Sequence, residues 1–182
     1  MEKKHVLLLI LAFVLLLIGG VRLYGELNAA PDLPQSDESE QSLSLPAPDF
    51  TVYDMEGNAK KLSELRGKPV VLNFWASSCH YCKKGMPAFA EAYAQLGDEV
   101  HFMMVNVTDG FWDTADTATA YISDAGHDLP YYLDTDLSAS ITYGARSLPV
   151  TYFLNADGAL VANRSGMMSL DILLGGIDLI NH

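Results

Sequence analysis

The chain has 182 residues, 49% of them hydrophobic, and carries 11 Lys and Arg against 23 Asp and Glu, a net charge of −12. That length suits about one domain with a single core, and so acidic a chain repels phosphate backbones and anionic headgroups, which excludes nucleic acid as a partner. Two cysteines are too few for a disulfide scaffold.

The first element is apolar. Val6 to Val21 form sixteen consecutive uncharged positions, preceded by Lys3 and Lys4 and followed by Arg22. A membrane-spanning helix takes about 20 apolar residues and a signal-peptide core ~7–15, so this run falls between the two. Extension over His5 and through Leu23 and Tyr24, with Arg22 snorkelling, brings it near spanning length. The nearest cleavage candidate, Asn28-Ala29-Ala30, has a poor residue at −3 and Pro31 directly after it. Residues 1–27 are therefore expected to be a single uncleaved N-terminal membrane anchor, with a cleaved signal and secretion as the alternative. The lysines orient either version with the N-terminus inside, so the rest of the chain faces the extracytoplasmic side, where disulfides persist.

Residues 28–46 are rich in Pro, Ser and acid and lack periodicity, which reads as a flexible linker. The folded domain is expected over residues 47–182. Phe50 to Tyr53 and Ala59 to Lys61 flank a turn at Met55-Glu56-Gly57-Asn58 and read as an N-terminal hairpin. Val70 to Ala76 is a β-branched-rich strand, and Cys79 to Leu96 a helix with Met86, Phe89, Ala90, Tyr93 and Leu96 on one face. A strand is expected at Val100 to Val107, a Thr/Ala-rich helix at Asp113 to Ala125, a short strand at Tyr131 to Leu133 and a short helix at Leu137 to Tyr143. Val150 to Leu154 and Leu160 to Asn163 flank the turn Asn155-Ala156-Asp157-Gly158, and Ser169 to Ile180 closes the chain as a helix. Strands alternating with helices, then a terminal hairpin and helix, argue for an α/β fold: a central mixed β-sheet flanked by helices.

The chemistry concentrates at Cys79 and Cys82, where a core strand ends and a helix begins. Unpaired N–H groups and the helix dipole stabilise a thiolate at such a start, and a spacing of three lets both sulfurs meet in the first turn. Cys79 is then the exposed nucleophile that attacks a partner's disulfide, and Cys82 the thiol that resolves the mixed disulfide. A structural disulfide would close only a tiny loop, and zinc needs about four ligands, for which there is no second CxxC and no suitably spaced histidine. Between the cysteines, His80 and Tyr81 face a partner, and an imidazole there, with Lys83 and Lys84, favours the thiolate and a more oxidising disulfide.

Ala47-Pro48-Asp49-Phe50, then Gly67-Lys68-Pro69 through Trp75-Ala76 and the CxxC, resemble the extracytoplasmic TlpA/ResA branch of thioredoxin-like proteins. Leu148-Pro149-Val150-Thr151 is similar to that family's cis-proline segment, and the resemblance covers about Pro46 to Ile180. It implies a thioredoxin-like fold and a thiol–disulfide oxidoreductase that works without metal or organic cofactor. It also implies protein thiol and disulfide substrates, apocytochrome c haem sites among them, and a membrane thiol carrier as electron donor. By the same resemblance Pro149 is the cis-proline beside the disulfide, the Leu148 backbone offers strand-like bonds to a bound segment, Trp75 packs beneath the site, and Pro87 kinks the active-site helix. The chain departs from the pattern twice. Thioredoxins proper carry Asp at the position of Asn73, and ResA-type proteins carry Glu at that of Gly85, so the proton acceptor of Cys82 is left to water or His80.

The reductive direction is preferred, with an oxidant or isomerase for secreted proteins as the alternative. A thiol peroxidase shares Pro48-Asp49-Phe50, but Cys79 lacks a PxxxTxxC setting; a copper-delivery protein has wider cysteine spacing and a distal His. The matches at Asn106-Val107-Thr108 and Asn163-Arg164-Ser165 to glycosylation acceptors read as chance. From Asp109 to Asp136 seven carboxylates occur with no Lys or Arg, without EF-hand spacing, and are expected to be a solvated face.

Overall fold

A computed structural model describes residues 5, 13, 15–19 and 46–181. The chain divides into two compact units, Met1–Ser42 and Leu43–His182. In the first, residues 13 and 15–19 are helical, with Phe13 and Leu15 to Ile18 exposed. No helix among the described residues is long and apolar enough to cross a membrane. The rest of the expected anchor at 1–27, and the expected linker at 28–46 up to its last residue, lie outside the described residues. Pro46 itself forms a β-bridge with Ala159.

In the second unit, β1 (Thr51–Tyr53) and β2 (Ala59–Lys61) form the expected hairpin in the register Thr51↔Lys61. Gly57 supplies the positive φ of 84° that its turn requires. A single 3-10 turn follows at Leu62–Leu65, and buries both of its leucines. The central strand β3 (Val70–Trp75) leads into α1 (His80–Leu96), followed by β4 (His101–Val107), α2 (Ala115–Ala125), β5 (Tyr131–Asp134) and α3 (Ser138–Thr142). The chain closes with β6 (Val150–Leu154), β7 (Leu160–Ser165) and α4 (Leu170–Asp178).

The seven strands make one sheet in the order β2-β1-β5-β4-β3-β6-β7. β3 pairs parallel with β4, and β4 with β5, whereas β6 runs antiparallel to β3. The sheet is therefore mixed, as the alternation of strand and helix patterns predicts. Every residue of β3 is buried, because both faces of the sheet are covered. Val71 and Trp75 point into a core completed by Met86 and Phe89 of α1, Ala118 of α2, and Leu173 and Ile177 of α4. Val70, Leu72 and Phe74 point the other way, into a core shared with Phe50, Leu62, Leu65 and Ala139. This alternation is the period of two that a strand imposes on its side chains.

Two boundaries and the buried face of one helix differ from the sequence reading for identifiable local reasons. α2 begins at Ala115 rather than Asp113, because Thr114 caps it through its side chain, accepting from Thr117 N–H, and Asp113 turns inward. β7 continues to Ser165 because each residue of β6 down to Val150 finds a partner on it. On α1, Gly85 and Ala92 join the buried face, whereas Ala90, Tyr93 and Leu96 are only partly covered.

Candidate active site

β3 delivers the chain, through Ala76-Ser77-Ser78, to the start of α1. Cys79 is the N-cap of that helix, with extended backbone, and its sulfur accepts the N–H of Cys82 at 3.1 Å. A thiolate at Cys79 therefore has a donor aimed at it and the positive end of a seventeen-residue helix behind it. Cys79 and Cys82 are joined as a disulfide, with Cα atoms 5.2 Å apart. Cys82 is 3% exposed and Cys79 only half-buried, so an incoming sulfur reaches Cys79 first.

Of the other residues expected at the site, Trp75 and Leu148 share a packed cluster with this pair. Leu148–Pro149 is a cis peptide bond, Pro149 is buried, and its carbonyl accepts from Gly166 N–H at 2.8 Å. Leu148 packs against the same cluster of side chains as Cys79, and that cluster contains Cys82 and Trp75. Trp75 is wholly buried between Tyr121 and Tyr131, with ring centroids 5.4 and 5.5 Å away. Trp75 Nε1 and Tyr131 OH have no hydrogen-bond partner among the described residues, and burial, followed by neighbouring Tyr121, holds the Tyr131 phenol above its ordinary range. His80 and Tyr81 are exposed, edge to face at 5.6 Å. Lys83 lies over the ring of Tyr121, 5.9 Å from its centroid. Pro87 lies within α1.

The two departures from the family pattern have structural counterparts. Asn73 is 1% exposed on β3 and donates to Thr151 Oγ1 at 2.8 Å. Gly85 faces Met167, whose Cγ stands 3.4 Å from where a Cβ would be. Neither position offers a carboxylate to Cys82.

One residue at the site escaped the sequence reading. Asp113, expected on a solvated face, is 1% exposed. It accepts the Ser77 N–H at 2.6 Å, the Ser77 hydroxyl, Asn106 Nδ2 at 2.7 Å and the Thr117 hydroxyl at 3.0 Å. The turn before Cys79 is thus tied to the loop between β4 and α2 by a buried carboxylate that accepts four donors and faces no cation in this network. Asp134 is also buried rather than solvated, and accepts from the N–H groups of Ala139 and Ser140 at the start of α3. A periodic pattern cannot reveal Asp113, because its partner Ser77 lies 36 positions away. Asn106, the first glycosylation match, is fully buried and bonded to Asp113 and Thr108, so the match is indeed chance. Among the described residues, no group of three or more His, Cys, Asp or Glu could hold a metal ion.

Residues 43–163 match the AhpC/TSA family. The chain is 33% identical over 135 residues to the thiol-disulfide oxidoreductase ResA of Bacillus subtilis, covering 74% of this chain and 73% of that protein. It is 30% identical over 177 residues to ResA of Bacillus thuringiensis, covering 95% of each. Among solved structures, the exposed lipoprotein thioredoxin Etrx1 of Streptococcus pneumoniae superposes with a TM-score of 0.63 at 29% identity. That match covers 72% of this chain and 98% of Etrx1.

Proposed function

The chain belongs to the AhpC/TSA family and is a thioredoxin-like thiol–disulfide oxidoreductase of the ResA type, and from that premise we propose that it reduces disulfides of proteins on the extracytoplasmic side of a membrane. The observation that carries the reading is the bonded pair itself: an accessible Cys79 at a helix N-cap joined to a nearly buried Cys82. In the reduced protein, Cys79 thiolate attacks one sulfur of a partner disulfide. A mixed disulfide forms and the partner's first thiolate leaves. Cys82, deprotonated, then attacks Cys79 Sγ, releasing the partner's second thiolate and closing the Cys79–Cys82 bond. Two electrons pass to the partner, whose two thiolates take up two protons, and a membrane thiol carrier restores the dithiol. In this reading water or His80 accepts the proton of Cys82, since Asn73 and Gly85 cannot.

Leu148 and Pro149 hold the bound segment, Trp75 floors the site, and His80 and Tyr81 border it. Residues 1–27 tether the domain through the linker at 28–46. The reductive direction is supported by an electrostatic comparison. Asp113 is a buried anion fixed to Ser77, two residues from Cys79, and a nearby anion raises the energy of the thiolate and so disfavours the reduced form. His80 and Lys84 act in the opposite sense but are exposed, where water and salt screen them.

The test is the equilibrium potential of Cys79–Cys82 in the full chain, titrated against glutathione or dithiothreitol. A value near about −270 mV supports a reductase, and one near about −120 mV reverses the direction. Absence of a reversible disulfide ends the oxidoreductase reading.

A further inference from the structure

The most exposed aromatic side chains described in the unit Leu43–His182 are two on one loop and one between the cysteines. Phe111 and Trp112, on the loop between β4 and α2, are 80% and 74% exposed, and Tyr81 between the cysteines is 62% exposed, against 37% for Tyr53. Phe111 and Trp112 stand edge to face, with centroids 5.1 Å apart. Their loop is fixed at both ends of the pair. Asp109 Oδ1 accepts the N–H groups of Phe111 at 2.9 Å, Trp112 at 2.7 Å and Asp113 at 2.9 Å. Asp113, next to Trp112, is bonded to Ser77 in the turn that leads to Cys79. Two large apolar side chains are therefore held in water by a hydrogen-bonded loop that is joined to the turn leading to Cys79. Burying them would release free energy in proportion to their apolar area, which makes them suited to a partner rather than to the core.

Charge narrows the partner. Between Lys84 and Arg146 the sequence holds ten Asp and Glu and no Lys or Arg. Asp109 and Asp116, at the ends of the aromatic loop and the start of α2, are exposed. Of the cations next to the cysteines in sequence, Lys83 lies over the Tyr121 ring and Lys84 is exposed on α1. An aromatic face beside carboxylates attracts guanidinium and ammonium groups, by cation–π contact and by direct attraction.

We propose that Phe111 and Trp112, with Tyr81, form a docking surface for the polypeptide whose cysteines are exchanged, and that it selects segments carrying Arg or Lys beside the cysteine. This rests on the oxidoreductase reading and names its substrate class. An extended segment laid against Leu148 and Pro149 would place its cysteine at Cys79 and its flanking basic side chains over the aromatic pair.

The experiment measures thiol–disulfide exchange by the full chain with two disulfide-bonded synthetic peptides of equal length. One has Arg and the other Glu beside each cysteine. An uncharged small disulfide, bis(2-hydroxyethyl) disulfide, reports the chemistry independently. The expected result is about a tenfold higher kcat/KM for the Arg peptide at low salt, narrowing towards parity near 1 M salt, where the Debye length is about 3 Å. The double variant Phe111→Ser, Trp112→Ser is expected to raise KM for the Arg peptide about tenfold with the helical circular dichroism retained. Equal rates for the two peptides at low salt, or a double variant that keeps the full preference, overturn the docking surface. If the small disulfide also fails to exchange, the oxidoreductase reading falls instead; if it exchanges normally, only the docking surface does.

Discussion

The buried carboxylate of Asp113 accepts the Ser77 amide hydrogen at 2.6 Å and so joins the loop after β4 to the turn that presents Cys79. Its other bonds come from the Ser77 and Thr117 hydroxyls and from Asn106. Cys79 is two residues beyond Ser77, within about 7 Å of backbone reach. At an effective dielectric constant of about 20, a unit charge roughly 10 Å away acts on a thiolate with somewhat under 2 kcal/mol.

Asp113→Asn therefore has two expected effects. The amide cannot accept from all of Ser77 N–H, Ser77 Oγ, Asn106 and Thr117, so buried donors are stranded and stability falls by about 2–3 kcal/mol, read from urea unfolding. Removal of the anion stabilises the Cys79 thiolate, so the reduction potential rises by up to about 30 mV, a tenfold change in the equilibrium constant with glutathione. Ser77→Ala separates the two. It removes one hydrogen bond and keeps the charge, so it should cost stability with little change in potential. Equal shifts in both variants would mean that the loop's position, not the carboxylate's charge, sets the potential.

Asn73 gives a pH-dependent prediction. Its side-chain amide donates to Thr151 Oγ1 and points towards the Val150 carbonyl at 3.5 Å. In Asn73→Asp, one carboxylate oxygen would face that carbonyl in a site that is 1% exposed. Burial and the missing donor both favour the neutral acid, so the folded pKa is raised above the unfolded value of about 3.9. With that sign, stability is retained below pH ~3.9 and lost progressively as the pH climbs from there through the raised folded pKa. A tenfold weaker acid corresponds to about 1.4 kcal/mol, so a folded pKa near about 6 to 7 costs about 3–4 kcal/mol at pH 7. Thermal unfolding from pH 4 to 8 checks it; a flat difference between variant and parent across that range would show that the carboxylate is not desolvated.

The part of this protein that could be read from sequence is the part governed by short-range patterns. β3 declares itself by Val70-Val71-Leu72 and Phe74-Trp75, because a strand buried on both faces needs an unbroken apolar run. Cys79 and Cys82 declare themselves by spacing, since both fall within one helical turn, and Pro149 by its family context. Asp113 could not be read in this way. Its role depends on Ser77 and Asn106, which reach it only after β3 and β4 pair in the register Trp75↔Asn106. The same holds for Gly85, where Met167, far along the chain, occupies the neighbouring space. A carboxylate's burial is a property of the pairing of strands, and composition alone makes such a residue look solvated.

Asp109 provides a second pH test on a different loop. Its carboxylate is held below its ordinary value of 3.8 chiefly by the N–H groups of Asp113 and Phe111, then opposed by burial and helped further by the N–H of Trp112. A depressed folded pKa contributes stability above the unfolded value that is lost as pH falls through the folded one. The loop should accordingly stay ordered above pH ~4 and loosen on further acidification. Trp112 is exposed and Trp75 buried, so tryptophan fluorescence quenching by acrylamide reports mainly on Trp112. Quenching should increase below pH ~4 before the global transition, and Asp109→Asn should show the increased quenching already at neutral pH. Quenching that rises only with global unfolding would mean the loop is held by something other than Asp109.

Adjacent glycines in α4 should respond in opposite directions. Gly175 is exposed and lies inside the helix, and a methyl group added to its Cα would meet nothing within 4 Å among the described residues. Gly175→Ala gains helix propensity without a steric cost and should stabilise by about 0.5–1 kcal/mol. At Gly176 the same methyl would stand 2.8 Å from Phe153 Cε2 and nearer still to Cζ and Cε1. Phe153 is 3% exposed in the core beneath α4, so its ring has no free volume into which to turn. Overpacking of this kind costs about 1–3 kcal/mol, which outweighs the propensity gain of about 1. Gly176→Ala should therefore lower the unfolding midpoint while Gly175→Ala raises it. If both raise it, α4 moves away from the sheet without penalty, and the close approach of Gly176 to Phe153 is not what seats the helix.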